Sequence, residues 1–536
     1  MDKTDGCAPD LEPNGRRLFG GWPPWRLVLS LLLLVTSVMV ILLLLINSRL
    51  HVQADTLTEI RERGVLRYGS DAEGGGPFIF ADPNNPSGEP IGFEPELMTK
   101  LCGGLGPKPT YTFGPWDTLL QSLGTRHVDV VVNGYELTEV RKRDYLATRP
   151  YYIYQLQLMA PKSGMIRSWD DVKQPPASGG KWKVGVLGGS GGDIFAKAEA
   201  EPHVEIVRYQ GATDAMKATV IGHIDATLQD LPASRFYLPR PEYESLEPAG
   251  PPVGKGYYVM YCRKNDTKLV QALDAAIGEM LANGDLKRIY EKYSIWTDLQ
   301  EDLANVDVKP APSDGANVGL ALIWQYRQPL VEAAWMTFRL SVTSMPLAMA
   351  IGLMVALGRL YGPSWVAFLL GGYIEFLRGT PLMLQLYVLY FVLELPAEVA
   401  AITGLAINYS AYEAEIYRAG LQAIPAGQME AALALGMSKR MALQRIIVPQ
   451  AVRIVIPAVT NDFIALFKDT SVCSVVAMVE LTKSFSIQAN GTGRFVEFAI
   501  VTAMIYLFMS VPLSAFSRWS ERKLGSEGEA LKGGLV

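Results

Sequence analysis

Hydrophobic and polar positions along the chain fall into three regimes. Leu27 to Ile46 is a run without charge, long enough to cross a bilayer as a helix. From Asp55 to about Trp296 short β-like runs alternate with helical patterns. Examples of the former are Val65–Tyr68, Val128–Val132 and Lys183–Val186, while Lys268–Tyr293 places apolar residues at helical spacing. This alternation predicts a parallel or mixed sheet flanked by helices. Glu301 to Gly315 is acidic, contains proline and lacks periodicity, so it reads as a linker. Beyond it the pattern is membrane-like to about residue 517, with apolar segments near 335–357, 381–396, 399–417, 454–479 and 495–516. Some of these hold charges or prolines, so hydropathy alone miscounts them.

Charge placement orients the segments. Residues 1–26 form a polar tail in which Arg16, Arg17 and Arg26 favour a cytoplasmic N-terminus, although Arg49 and Arg61 weaken the asymmetry. The run 27–46 exceeds the roughly 7–15 residues of a signal-peptide core and reads as an uncleaved anchor. A cleaved signal ending at Val52-Gln53-Ala54 is the alternative, and both deliver the segment from Asp55 onward to the outside. In the membrane-like half, Arg359, Arg378, Arg418, Lys439, Arg440, Arg518, Arg522 and Lys523 fall on one side, with Lys483 and Arg494 as exceptions. This puts residues 430–450 and the tail 521–536 in the cytoplasm.

Composition narrows the function. A chain of 536 residues implies two or three units, and 49% hydrophobic residues is more than a soluble enzyme usually needs. A net charge of −5 leaves no nucleic-acid footprint. Cys7, Cys102, Cys262 and Cys473 are scattered without metal-ligand spacing. Cys102 and Cys262 fall in the segment expected outside the cell, as a bridge or, more plainly, as two buried thiols. No GxxxxGK[ST] loop is present, so ATP and magnesium would be bound by a partner and no cofactor is expected in this chain.

One stretch carries a specific spacing. Glu430-Ala431-Ala432 is followed after three residues by Gly436, and after nine more by Ile446, with Val448 and Pro449 closing the pattern. It resembles the cytoplasmic coupling loop of ABC-importer permeases, with Val448 where that family has Leu. In that family the loop docks on the ATP-hydrolysing subunit, and small Ala and Gly positions allow close helix contact. The stretches 373–391, 408–437 and 449–471 extend the resemblance to polar-amino-acid permeases of the histidine, glutamine and glutamate type. It implies an all-α, five-helix permease domain over 317–520. It also implies a pair of permease halves, either two copies of this chain or one copy with another permease. Glu413, Glu415, Lys468 and Asp469 are candidates for the pathway or the interface between halves. Arg378 and Arg418 read better as membrane-edge residues.

The segment 55–297 resembles the amino-acid-binding proteins of ABC importers. The matching pieces occur in family order: GVLRYGSD at 64–71, GFEPEL at 92–97, the run from Trp116 to Tyr145, VGVLGGSGGD at 184–193 and IDATLQD at 224–230. The resemblance implies two α/β lobes, one from 55–160 and 255–297 and the other from 161–254, with a linker at 298–316. It assigns Arg141 to the ligand α-carboxylate, a geometry that a guanidinium suits, and Asp230 to the α-ammonium. Ser190 and Gly191 would give a hydroxyl and an N–H to the carboxylate, Gly134 a backbone acceptor, and Trp116 a cover over the ligand. Taken singly, Arg141 could be a surface residue, Asp230 a helix cap and Trp116 core packing.

Two departures bear on the ligand. Glu136 stands where relatives carry Ser or Thr, and could bind a cationic side chain, offset Arg141 or point away. Gly74-Gly75-Gly76 replaces an aromatic before Pro77. Glu136, Asp71 and Asp230 near one cleft suggest a polar or cationic amino acid.

The expected molecule is a multidomain membrane protein: an N-terminal transmembrane anchor, a two-lobed α/β periplasmic-binding-protein fold and a C-terminal permease domain. It is expected to be a transporter subunit and not an enzyme. A ligand-gated channel or sensor is the rival reading, but no selectivity sequence such as TVGYG occurs. An enzyme on the same two-lobed fold is a second rival, against which Arg141 argues.

Overall fold

A computed structural model of the chain describes residues 55–72, 75–86, 88–116, 118–201, 203–306 and 319–532. The expected tail 1–26, the apolar run 27–46 and most of the linker lie outside the described residues.

Strands alternate with helices as the pattern predicts, and they form two sheets. In chain order they are β1 (Val65–Ser70), β2 (Lys108–Phe113), β3 (Val130–Val131), β4 (Tyr145–Ala147), β5 (Tyr152–Pro161), β6 (Trp182–Leu187), β7 (Val204–Tyr209), β8 (Ala226–Asp230), β9 (Leu246–Pro248), β10 (Val253–Tyr258) and β11 (Tyr261–Arg263). The first sheet has the order β2-β1-β3-β11-β4, with β1 parallel to β2 and β3. The second runs β10-β5-β8-β6-β7, with β9 beside β5. Helix Phe93–Leu105 buries Phe93, Leu97, Met98, Leu101 and Cys102 in the first lobe's core, and Thr267–Ala282 adds Leu269, Leu273 and Ile277. Cys102 and Cys262 are both free, buried thiols.

The lobe boundaries differ from those read in the sequence. β5 and β10 pair with each other in the second sheet, so the chain leaves the first lobe near residue 150 and returns near 259. Two antiparallel segments make the crossing: Thr148 N–H donates to the Met260 carbonyl at 2.9 Å, and Tyr151 N–H to that of Tyr258 at 3.0 Å. The sequence hides this because β5 is apolar along nearly its whole length, as a strand covered on both faces must be. The linker also starts later than expected. Asp298–Asn305 is a tight helical segment in which buried Gln300 accepts from Ile153 N–H at 2.9 Å and donates to the Ile153 carbonyl at 2.8 Å. This side-chain amide acts as one more ladder rung at the hinge.

From Leu320 onward the described chain is helical. Among the described residues, three helices are long and apolar enough to cross a membrane: Arg327–Tyr361, Lys439–Val476 and Phe495–Trp519. Leu382–Val392 is apolar but shorter. Ala397–Gln422 is long but carries Glu398, Glu413, Glu415 and Arg418, which lowers its hydropathy. Two further helices, Ser364–Gly379 and Leu481–Thr492, were not separated by the sequence pattern, and the last helix continues to Lys532 through the expected tail. Gly352 lets Arg327–Tyr361 lie close against Ala397–Gln422: a β-carbon there would meet that of Glu413 at 2.6 Å and the Ser410 carbonyl at 2.9 Å.

The binding lobes and the helical domain fall in one compact unit. Tyr209, Ala215, Ala218 and Ile224 of the second lobe share a buried cluster with Leu386, Tyr390 and Val476. On the first lobe, Asp144 pairs with Arg494 at 3.9 Å. The β-carbon position of Gly188, in the second lobe, is 3.7 Å from the Lys483 side chain. The two exceptions to the charge asymmetry, Lys483 and Arg494, therefore both face the binding domain.

Candidate ligand cleft and coupling loop

A cavity of about 340 Å³ lies between the lobes, within the range of small-molecule sites. The first lobe lines it with Asp71, Phe78, Trp116, Asn133, Gly134 and Glu136. The second contributes Ser190, Gly192, Asp214, Lys217 and Asp230, and Met383, Tyr387 and Val475 of the helical domain complete the wall.

Local structure explains how the first-lobe groups are aimed. Trp116 is fixed by Nε1–H donating to the Asn133 carbonyl at 3.1 Å and by stacking on Tyr135 with ring centroids 5.0 Å apart. Its backbone N–H donates to Asp71 at 2.8 Å, so Asp71 helps to build this wall. Gly134 has φ of 58°, and a β-carbon there would meet the Phe78 ring at 2.9 Å. Its N–H donates to buried Glu94 at 2.7 Å, which also accepts from the Tyr151 hydroxyl at 2.6 Å. Burial raises the Glu94 carboxyl to about 7, against the pull of those two donors.

Arg141 lies in the helix Glu139–Asp144, capped by Thr138, and is only 3% exposed. It is not a solvated surface residue. Its guanidinium sits 5.5 Å from the Trp116 ring and 5.1 Å from that of Tyr135, a cation–π arrangement. Nη1 donates to the Glu136 carboxylate at 2.6 Å and to the Glu136 carbonyl at 3.1 Å. Of the three orientations open to Glu136, the structure has the one that offsets Arg141. Burial alone would lower the Arg141 pKa, but the Glu136 carboxylate turns the net shift upward.

From the second lobe, Ser190 caps the helix Gly191–Ala200 by accepting from Asp193 N–H at 3.4 Å. Gly191 N–H at the start of that helix donates to Glu136 across the cleft. Asp230 holds the N-cap position of Leu231–Tyr237, yet its side chain makes no capping bond and is left to the cleft. Burial raises its carboxyl to about 7; the Glu136 charge adds to the rise and the nearby Tyr258 hydroxyl opposes it. The cleft brings together all seven residues singled out by sequence, though Arg141 and Gly191 reach it through Glu136.

The loop 430–450 is a turn between helices. Ala426–Ala434 carries Glu430, Ala431 and Ala432, of which only Ala432 is buried. Gly436 has φ of 80° and reverses the chain, with its N–H donating to the Leu433 carbonyl at 3.0 Å. Ser438 caps the next helix, which runs on into Val448–Asp469, where Pro449 is exposed in the first turn. Leu433, Leu435 and Met441 are exposed apolar side chains, Leu435 at 83%.

Comparison with known proteins decides the family. Residues 66–295 match the bacterial extracellular solute-binding proteins of family 3, and 348–526 match the binding-protein-dependent transport system inner membrane component. The octopine transport system permease protein OccM of Rhizobium meliloti is 34% identical over 215 residues, covering 37% of this chain and 88% of OccM. The glutamine transport system permease protein GlnP of Escherichia coli is 34% identical over 210 residues, covering 38% of this chain and 95% of GlnP. This chain belongs to the amino-acid ABC transporter permeases. A variant of the arginine-binding protein ArgBP of T. maritima aligns with 45% of this chain and 99% of its own, at 26% identity and a TM-score of 0.40.

This permease is therefore an inner-membrane protein that carries a domain matching the extracellular solute-binding proteins on the same polypeptide. Several lining groups are not evident in its sequence. Asp214 and Lys217 sit on Ala212–Val220, a helix outside every stretch that carries the family resemblance. Beside Gly75 and Gly76, behind the cavity lining, the aromatic rings come from the other lobe. Gly76 N–H donates to the Tyr237 hydroxyl at 2.9 Å, and the Phe236 ring fills the space that a side chain at Gly76 would need. The glycines at 75 and 76 were the one available signal that something packs there.

Proposed function

We propose that this permease is the capture and membrane subunit of an ATP-driven importer for polar amino acids, with a preference for cationic ones. The binding domain works outside the cell, while the coupling loop and C-terminus lie inside. ATP and magnesium are bound by a separate ATPase, and two permease halves, most simply two copies of this chain, form the pathway. Arg141, Ser190 and Gly191 serve the α-carboxylate, Asp230 the α-ammonium, Trp116 covers the ligand and Gly134 offers its carbonyl. Glu430, Ala431, Ala432, Gly436 and Pro449 shape the ATPase contact.

The observation that best supports the cationic preference is the charge of the cavity wall. Asp71, Asp214 and Asp230 line it against Lys217 as the one cation among the described lining residues, and Glu136, also in the wall, is offset by Arg141. Acidic walls of low dielectric favour a cationic guest. The exposed Leu433, Leu435 and Met441 beside a required turn support the docking of a partner at the loop. Met383, Tyr387 and Val475 in the cavity wall suit direct hand-over from cleft to membrane domain.

Calorimetry of the full chain against the common amino acids tests the ligand class. Tighter binding of lysine or arginine than of glutamine and glutamate is expected. Binding restricted to acidic amino acids would falsify the preference.

A further inference from the structure

Donors from opposite lobes converge on one carboxylate, and that carboxylate belongs to the chain. Glu136 Oε2 accepts from Arg141 Nη1 at 2.6 Å, and its Oε1 accepts from Gly191 N–H. Glu136 and Arg141 are 2% and 3% exposed. A guanidinium together with the first N–H of a ten-residue helix is a donor set that holds any carboxylate well. The second guanidinium nitrogen is also engaged, donating from Nη2 to the Gly189 carbonyl at 3.3 Å. A ligand carboxylate therefore cannot use these donors while Glu136 stays in place. Because Glu136 belongs to the first lobe and Gly191 to the second, the same contacts tie the lobes together.

We propose that Glu136 is a tethered competitor of the ligand, occupying the carboxylate site formed by Arg141 and Gly191 and latching the lobes until a ligand carboxylate displaces it. It is thus an affinity-determining residue of the cleft. The inference rests on reading the cleft as an amino-acid site. A group tethered this closely acts at an effective concentration of roughly mM or above, so an incoming carboxylate meets a standing rival. Removing the rival leaves Arg141 and Gly191 free for the ligand, while Asp230 keeps its place in the cleft and loses the upward push of the Glu136 charge.

The test uses the full chain in nanodiscs, as wild type, Glu136→Ser and Glu136→Gln. L-glutamine, L-arginine and agmatine, which is arginine without its carboxylate, are titrated by calorimetry. Spin labels on the two lobes report their separation without added ligand. Glu136→Ser should tighten L-glutamine at least tenfold and Glu136→Gln by less, and both should lengthen the mean lobe separation. Agmatine should bind wild type at least tenfold more weakly than L-arginine. Unchanged or weaker L-glutamine binding by both variants overturns the proposal, as does agmatine binding as tightly as L-arginine. If no protein binds any amino acid, the amino-acid reading fails, and the lobe separation still decides whether Glu136 is a latch.

Discussion

The hydroxyls of Tyr209 and Tyr390 meet at 2.7 Å, joining the end of β7 in the binding domain to the helical domain. Tyr390 lies in the wide turn Val388–Val392 that continues Leu382–Tyr387, and the His223 ring packs on it at 4.5 Å. His223 Nε2 also bonds the Glu394 carbonyl at 2.9 Å. Removing one hydroxyl leaves the other buried without its partner, at a cost of about 1–3 kcal/mol, whereas removing both can be nearly neutral. Tyr209→Phe and Tyr390→Phe should each lower the docked population seen by spin-label distances between lobe two and the permease. The double variant should lie closer to wild type than the sum of the two.

Gly134 turns at positive φ with the Phe78 ring against it. Gly134→Ala adds left-handed strain to a steric conflict, for a loss of about 1–3 kcal/mol. Thermal unfolding of the variant should show a lowered first-lobe transition, together with weakened ligand binding.

Asp230 sets a pH dependence. Its folded pKa is raised from 3.8 to about 7 by burial, with Glu136 adding to the rise. Below both values neither state is penalised. As pH rises between them the unfolded chain ionises while the folded chain keeps its proton, so stability falls and the full cost is present above about pH 7. Asp230→Asn should therefore raise Tm at about pH 8 and leave it unchanged near pH 3. A ligand ammonium needs the ionised form, so wild-type affinity should fall as pH drops below about 7. Glu94 is raised to about 7 as well, but both proteins contain it, so the difference between them isolates Asp230.

Gly436 separates turn geometry from side-chain volume. Nothing lies within 4 Å of a β-carbon added there, so only its φ of 80° restricts the residue. Asn tolerates such a conformation and β-branched residues do not. Gly436→Val should uncouple ATP hydrolysis from ligand, while Gly436→Asn should retain most of the stimulation and both should bind ligand normally. Equal stimulation in the two variants would contradict a role for the turn.

Features set by local pattern were legible in the sequence. The strands around Val65 and Val184, the helix around Leu273 and the spacing from Glu430 to Pro449 all arise from neighbours a few residues apart. Features set by distant contacts were not. The orientation of Glu136 depends on Gly191, 55 residues later, and the glycines at 75 and 76 make room for Phe236 and Tyr237 more than 150 residues on. The lobe boundary was misplaced because β5 looks alike from either lobe. Met383 and Tyr387 could not be assigned to the cleft, since nothing in an apolar helix announces that another domain will sit on it.

Hydrolysis of ATP by the full chain reconstituted with the ATPase proposed as its partner, measured with and without a saturating cationic amino acid, tests the central claim most directly. The account predicts low basal hydrolysis, a severalfold rise with ligand, and loss of that rise in Arg141→Ala or Asp230→Ala without loss of the basal rate. Hydrolysis that ignores the ligand, or that still responds after both substitutions, would contradict it.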